Sequence, residues 1–184
     1  MEALADARAG TDRLIRVVLT GSESTGKTTL AAALARHYGT LVVPEFVRAF
    51  AEEKGGAPSF DDCGPIARGQ IALEDEHFAV ARGVNRVIFL DTDLLSAVVY
   101  NNHYYGHCPE WIEDAARARR PDLYLLCETD VPWIADGVRD RGDRRDEMQA
   151  LFRAAVIASG SDYMSIHGGP SERIERATRA IDAL

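Results

Sequence analysis

The chain has 184 residues, 46% hydrophobic and 27% charged, with a net charge of -8, the balance of one domain able to bury a single core of ordinary size. An acidic surface offers nucleic acid and anionic lipid no long-range attraction, and no apolar run approaches the roughly 20 residues of a membrane span, so the expected partner is a small molecule, not a nucleic acid or a membrane. The three cysteines, Cys63, Cys108 and Cys127, lack metal-ligand spacing and follow no secretory signal, which points to the cytoplasm.

In chain order, residues 1–13 are polar and without strand pattern, expected to form a flexible lead-in, and one domain is expected over 14–184. LIRVVLTG reads as the first strand and runs straight into GSESTGKTTL; the helical pattern TTLAAALARHYG follows. TLVVPEF (40–46) is the second strand, and a long helical pattern surrounds GPIARGQIALEDEHFAVARG. RVIFLDTD (86–93) is the third strand, followed by helical LLSAVVYNNHYY and EWIEDAARARR. DLYLLCETD (122–130), helical RRDEMQALFRAAVIAS, DYMSIHGG (162–169) and helical SERIERATRAIDAL complete the chain. The strands are continuous apolar runs, which predicts a parallel sheet covered on both faces. Alternation with helices predicts an α/β, doubly wound sheet of about five strands, in which ligands bind beyond the carboxyl ends of the strands.

Residues 21–28 fit the phosphate-loop pattern G-x-x-x-x-G-K-[ST], in the strand-to-helix context that gives the pattern meaning. Gly21 and Gly26 let backbone amides of the loop turn toward phosphate, so Ser22, Glu23, Ser24, Thr25 and Thr29 are counted with them as the ATP-binding segment. Lys27 is placed to reach the β and γ phosphates, and the Thr28 hydroxyl to ligate Mg²⁺. A switch GTPase normally carries an N-K-x-D motif, which neither Lys27 nor Lys54 supplies. A ring-forming ATPase normally carries a second helical domain, for which this length leaves no room. A kinase remains, and it needs an acid in the acceptor pocket and cations that close over the phosphates.

Glu45 leaves the carboxyl end of strand two in VVPEFVRAF, with Arg48 one helical turn on; the pair reads either as a general base with its partner or as a surface ion pair. Asp91, at the end of FLDTD, is placed like the acid that holds Mg²⁺, although it competes with Glu45 for the role of base. Asp93 reads both as a helix N-cap and as a group facing the cleft. Tyr100, Tyr104 and Tyr105 cluster before Gly106, where a planar heterocycle could stack, although part of the cluster must be packing, with Tyr100 and Tyr104 on one helix face; Tyr104 is taken for the acceptor. The segment ETDVPWIADGVRDRGDRRDEMQ resembles an arginine-bearing lid; Arg139 is the first choice for a phosphate contact, with Arg144 or Arg145 behind it.

Together, G-x-E-S-x-G-K-T, PEFVR, FLDTD, the Tyr104-x-Gly106 turn and PWIADGVRDRG resemble the ribosylnicotinamide kinase domain of NadR-type proteins, from about Leu14 to the last helix. The resemblance implies a phosphate-loop, nucleoside-kinase-like fold. It also implies transfer of phosphate from ATP to the 5′ hydroxyl of nicotinamide riboside, with Glu45 as base, as in the similar P-E-x-x-x-R arrangement of deoxynucleoside kinases. NadR-type proteins often add an adenylyltransferase and a DNA-binding module, for which these 184 residues leave no room. Glu23 is the unusual member of the loop. A carboxylate facing phosphate would be repelled, so it either turns toward Arg48 or the ribose hydroxyls of the acceptor, or bonds backbone N-H groups of its own loop.

Overall fold

A computed structural model describes residues 13–133 and 144–184 of the chain. Five strands, β1 (Ile15–Thr20), β2 (Val42–Val43), β3 (Val87–Asp91), β4 (Leu123–Cys127) and β5 (Asp162–Ile166), form one sheet in the order β2-β3-β1-β4-β5. Every pairing is parallel. The crossovers carry α1 (Lys27–Tyr38), α2 (Phe46–Lys54), α3 (Cys63–Ala81), α4 (Leu94–Tyr105), α5 (Glu110–Ala118) and α6 (Arg145–Ser159), and α7 (Pro170–Ile181) follows β5.

Side chains alternate across the strands, so each central strand feeds two cores. Val17, Leu19, Phe89, Leu125 and Cys127 pack with Leu30 and Leu34 of α1 and with Ala177 and Ile181 of α7. Val18, Ile88, Leu90 and Tyr124 pack on the other face with Val156 of α6 and Ala81 of α3. Double coverage is thus correct for β1, β3 and β4, all fully buried or nearly so. It does not extend to β5, an edge strand whose Asp162, Tyr163 and Met164 are exposed. An edge strand has one neighbour, and its apolar side chains here are not enclosed by a helix on both sides.

Two boundaries differ from the sequence expectation. β2 is two residues long, because Pro44 denies a ladder donor and Glu45 already stands at the N-cap position of α2, a helix not foreseen as an element over its full length. Gly21 ends β1 with φ +126, and a Cβ there would lie 2.6 Å from the Cys127 carbonyl oxygen. Only glycine lets the phosphate loop leave β1 this close to β4.

Candidate active site

The strand order places the carboxyl ends of β3, β1 and β4 side by side, where β1 pairs Leu19 with Asp91 of β3 and Thr20 with Leu126 of β4. The phosphate loop sits on this crevice. Its residues Ser22 and Thr25 are buried, whereas Gly26, Thr28 and Thr29 are exposed. Ser24 adopts φ +53, a left-handed conformation uncommon outside glycine that curls the loop. Thr25 Oγ1 donates to Ser22 O at 2.9 Å, and Lys27 Nζ donates to Gly21 O and Ser22 O at 3.0 and 2.7 Å. The lysine thus lies folded back on its own loop.

Thr28 Oγ1 donates to Asp91 Oδ2 at 2.6 Å, bringing the expected Mg²⁺ pair together. Burial holds the Asp91 carboxyl above its ordinary pKa, opposed by the Thr28 hydroxyl and reinforced by the Glu45 charge. Hydroxyl and carboxylate oxygens are hard donors that suit Mg²⁺, which takes few protein ligands and fills the rest with phosphate and water. Among the described residues no group of three or more His, Cys, Asp or Glu side chains is arranged to hold a metal by itself.

Between the segments that follow β2 and β3 lies a cavity of about 460 Å³. Its wall includes Glu45 from the start of α2, Gln70 from α3, and Asp93, Tyr100, Asn101, Tyr104 and Tyr105 from the segment after β3. Glu45 has extended backbone (φ -70, ψ 113) just before the first turn of α2, and Arg48 stands 3.6 Å from its carboxylate. The turn is held from below: Phe46 N donates to Gln70 Oε1 at 3.0 Å, and Gln70 Nε2 donates to the buried Glu74 at 3.2 Å. Glu74 in turn accepts from Arg119 Nε at 2.9 Å. Gly69 leaves room for the Phe46 ring, which a Cβ there would meet at 2.2 Å.

Asp93 takes the capping role expected of it. Its Oδ1 accepts from Leu95 N at 3.1 Å, capping α4, and its Oδ2 accepts from the Tyr124 hydroxyl at 2.6 Å, while the residue lines the cavity. The preceding Thr92 has φ +73, strained for a β-branched residue, and this sets the angle between Asp91 and Asp93. Burial pushes the Asp93 carboxyl up to about 7, with the Glu74 charge adding to the rise and the Tyr124 hydroxyl opposing it. The unfolded chain releases this proton near pH 4, at the ordinary carboxylate pKa. Folding therefore retains a proton between about pH 4 and 7, and stability falls as pH rises through that window and levels off above it. Urea midpoints measured from pH 4 to 8 are expected to follow this course. Asp93→Asn, which still caps and cannot ionise, is expected to flatten the slope; an unchanged slope would contradict the assignment.

The tyrosines divide by environment. Tyr105 donates its hydroxyl to Pro58 O at 2.9 Å, and Tyr100 stands edge-on to the buried Phe152, so both serve packing. Tyr104 stacks on Tyr100 with centroids 5.9 Å apart and planes 4° apart, and is 44% exposed, the ring best placed to meet a heterocycle. Glu23 lines a small recess with His103, Tyr104, Trp133 and Arg144. It is not on the wall of the large cavity, and Tyr104 is the residue the two spaces share.

Arg139 lies outside the described residues, as does Arg141. Arg144 makes a two-pronged bond to Glu147 at 2.8 and 2.7 Å. Arg145 is committed to backbone carbonyls, Val131 O at 2.8 Å and Ser24 O at 2.9 Å, so it braces the loop from outside instead of reaching over it. Sequence reasoning missed Gln149, whose Oε1 accepts from Ser22 N at 2.9 Å while its Nε2 donates to Cys127 O at 3.0 Å. It also missed Gln70 and Arg173. All three occur in phase with buried stripes, Gln149 with Phe152 and Val156, Gln70 with Ala67 and Ala81, Arg173 with Ala177 and Ile181. A polar residue inside an apolar stripe was the available signal.

A family model described as an AAA domain matches residues 16–173. The chain belongs to the AAA domain family. The chain is 33% identical over 156 residues to the trifunctional NAD biosynthesis/regulator protein NadR of Escherichia coli strain K12, covering 82% of this chain and 37% of that protein. It is 34% identical over 172 residues to the protein of the same name from Salmonella typhimurium strain LT2, covering 91% and 41%. The chain therefore spans about two fifths of the length of these curated relatives. Among solved structures, a NadR protein in complex with NR superposes with a TM-score of 0.71 at 22% identity, covering 92% of this chain and 49% of that one. Thymidylate kinase from Ehrlichia chaffeensis superposes with a TM-score of 0.61 at 16% identity, covering 93% and 98%. The AAA-family fold described here is thus shared with phosphate-loop kinases. No described helix is long and apolar enough to cross a membrane.

Proposed function

We propose that this chain is an ATP- and Mg²⁺-dependent kinase of a ribonucleoside 5′ hydroxyl, with nicotinamide riboside as acceptor and nicotinamide mononucleotide as product. The observation that carries the reading is the proximity of two sets of residues at the carboxyl ends of the strands. Glu45 belongs to the wall of the 460 Å³ cavity, and its charge acts on Asp91, which is bonded to Thr28 at the mouth of the phosphate loop. A hydroxyl held in the cavity can therefore meet a γ phosphate held on the loop. The relatives' names place them in NAD biosynthesis, and similar solved structures hold NR in one case and NAD with AMP-PNP in another.

In this reading Lys27 and the amides of residues 21–26 hold the β and γ phosphates, and Thr28 and Asp91 would hold Mg²⁺, which supplies charge neutralisation between those phosphates. Glu45 accepts the 5′ hydroxyl proton as that oxygen bonds to the γ phosphorus, the bond to the β–γ bridging oxygen breaks, and ADP leaves. Arg48 steadies Glu45, Asp93 and Glu23 take ribose hydroxyls, and Tyr104 stacks on the base. Arg139 and Arg144 are assigned to the phosphates from the lid. The cytoplasm supplies both substrates and keeps the three thiols reduced.

A panel of nucleosides, read by ADP release, tests the proposal. ADP is expected only when a ribonucleoside is present, with nicotinamide riboside giving the highest kcat/KM. ADP release that is the same with and without acceptor would instead favour an ATP-binding regulatory module and contradict the kinase reading.

A further inference from the structure

A trans peptide unit points its carbonyl and its N-H in opposite directions, so whatever grips a loop carbonyl also aims the next residue's N-H. No described peptide bond is cis. Along the phosphate loop, Ser24 O is held by Arg145 Nη2 and Thr25 O by Arg173 Nη1 at 2.8 Å. The second grip is the more unusual. Arg173 lies on α7 and is 4% exposed, yet its guanidinium serves three separate segments. Besides Thr25 O it donates from Nε to Gly168 O at 3.0 Å and from Nη2 to Glu128 O at 3.1 Å and Asp130 Oδ1 at 2.5 Å. Asp130 completes the ring by accepting from Gly168 N at 2.6 Å through Oδ2.

A buried guanidinium is costly to desolvate, and packing alone would be served as well by an apolar residue continuing the stripe of Ala177 and Ile181. What an apolar residue could not do is fix the phosphate loop, the exit of β4 and the turn between β5 and α7 to one rigid, planar fork. Gly26 faces that fork, its absent Cβ position lying 3.9 Å from Arg173 Nη1.

We propose that Arg173 is a positioning residue for the phosphate donor: by holding Thr25 O inward it aims the Gly26 N-H at the nucleotide phosphates, and it locks that orientation to the turn after β5, with Asp130 as its counter-ion. The proposal rests on the reading of the loop as a kinase's nucleotide site. Arg173 touches no reacting atom, so its effect falls on donor affinity and leaves the acceptor cavity alone.

Arg173→Lys keeps the charge and loses the fork. Titration calorimetry with Mg·ADP is expected to show affinity weakened about tenfold, with the acceptor KM unchanged. Unchanged ADP affinity in the folded variant would overturn the proposal, as would donor and acceptor affinities falling by the same factor, the mark of a merely structural role. Should Arg173→Lys fail to fold, Asp130→Asn decides by the same titration: a loss of about threefold is expected, worth about half of one tenfold step in free energy, and no loss overturns the proposal. The ADP titration needs no acceptor, so it still reads if no nucleoside is turned over and the kinase reading itself fails.

Discussion

Lys27→Ala is expected to lower kcat/KM for phosphoryl transfer by at least about 10³-fold, because it removes a preorganised charge that acts on the transferring group. The fold is expected to survive. Lys27 belongs to no core cluster, and its ammonium bonds to Gly21 O and Ser22 O, both within the loop. Circular dichroism and a thermal melt close to the wild type's, alongside lost turnover, constitute the expected result. Undiminished turnover in the folded variant would remove the assignment of residues 21–28 as the donor site.

The second large effect separates two acids. Glu45→Gln keeps shape and much of the hydrogen bonding but cannot take a proton, and kcat is expected to fall about 10²- to 10⁴-fold with modest change in acceptor KM. Glu23→Gln is expected to do the opposite. Binding lost equally from the ground and transition states raises KM and spares kcat. A site built to bond a ribose hydroxyl also rejects an analogue lacking it, since its own polar group is left unpaired. The wild type is therefore expected to prefer a riboside strongly over its 2′-deoxy form, and Glu23→Gln to shrink that preference. The recess lined by Glu23 and the large cavity lined by Glu45 have Tyr104 as a common wall residue, and the proposal assigns the two carboxylates to different parts of one sugar. Indistinguishable phenotypes for the two variants would contradict this division.

The contrast between what the sequence revealed and what it hid has a physical basis. Continuous apolar runs announced β1, β3 and β4 because a strand buried on both faces has no choice of pattern. The same logic overreached at β5, where DYMSI is apolar enough for a core yet sits at an edge. No local signal says which strand comes last in a sheet. The loop was legible as a motif because Gly21, Gly26, Lys27 and Thr28 fall within eight consecutive residues. Asp91 and Asp93 were legible as a strand end, and the structure bonds Asp91 to Thr28 across 63 positions.

The supports of the site were not legible. Gln149, Arg145 and Arg173 reach the loop from α6 and α7, more than 120 residues away, and each acts on backbone atoms that any sequence would present. Gln70 acts on Glu45 in the same way, through the amide of Phe46. Residues that meet a ligand leave a motif, whereas residues that hold a backbone leave only a polar break in an apolar stripe.

The most direct test of the central claim is the chemical identity of the product. Purified protein incubated with Mg·ATP and nicotinamide riboside is analysed by proton-coupled phosphorus NMR. The expected result is one phosphomonoester signal split by the two C5′ protons, formed in equal amount with ADP. ADP accompanied only by inorganic phosphate, or a phosphomonoester attached at the 2′ or 3′ position, would contradict it.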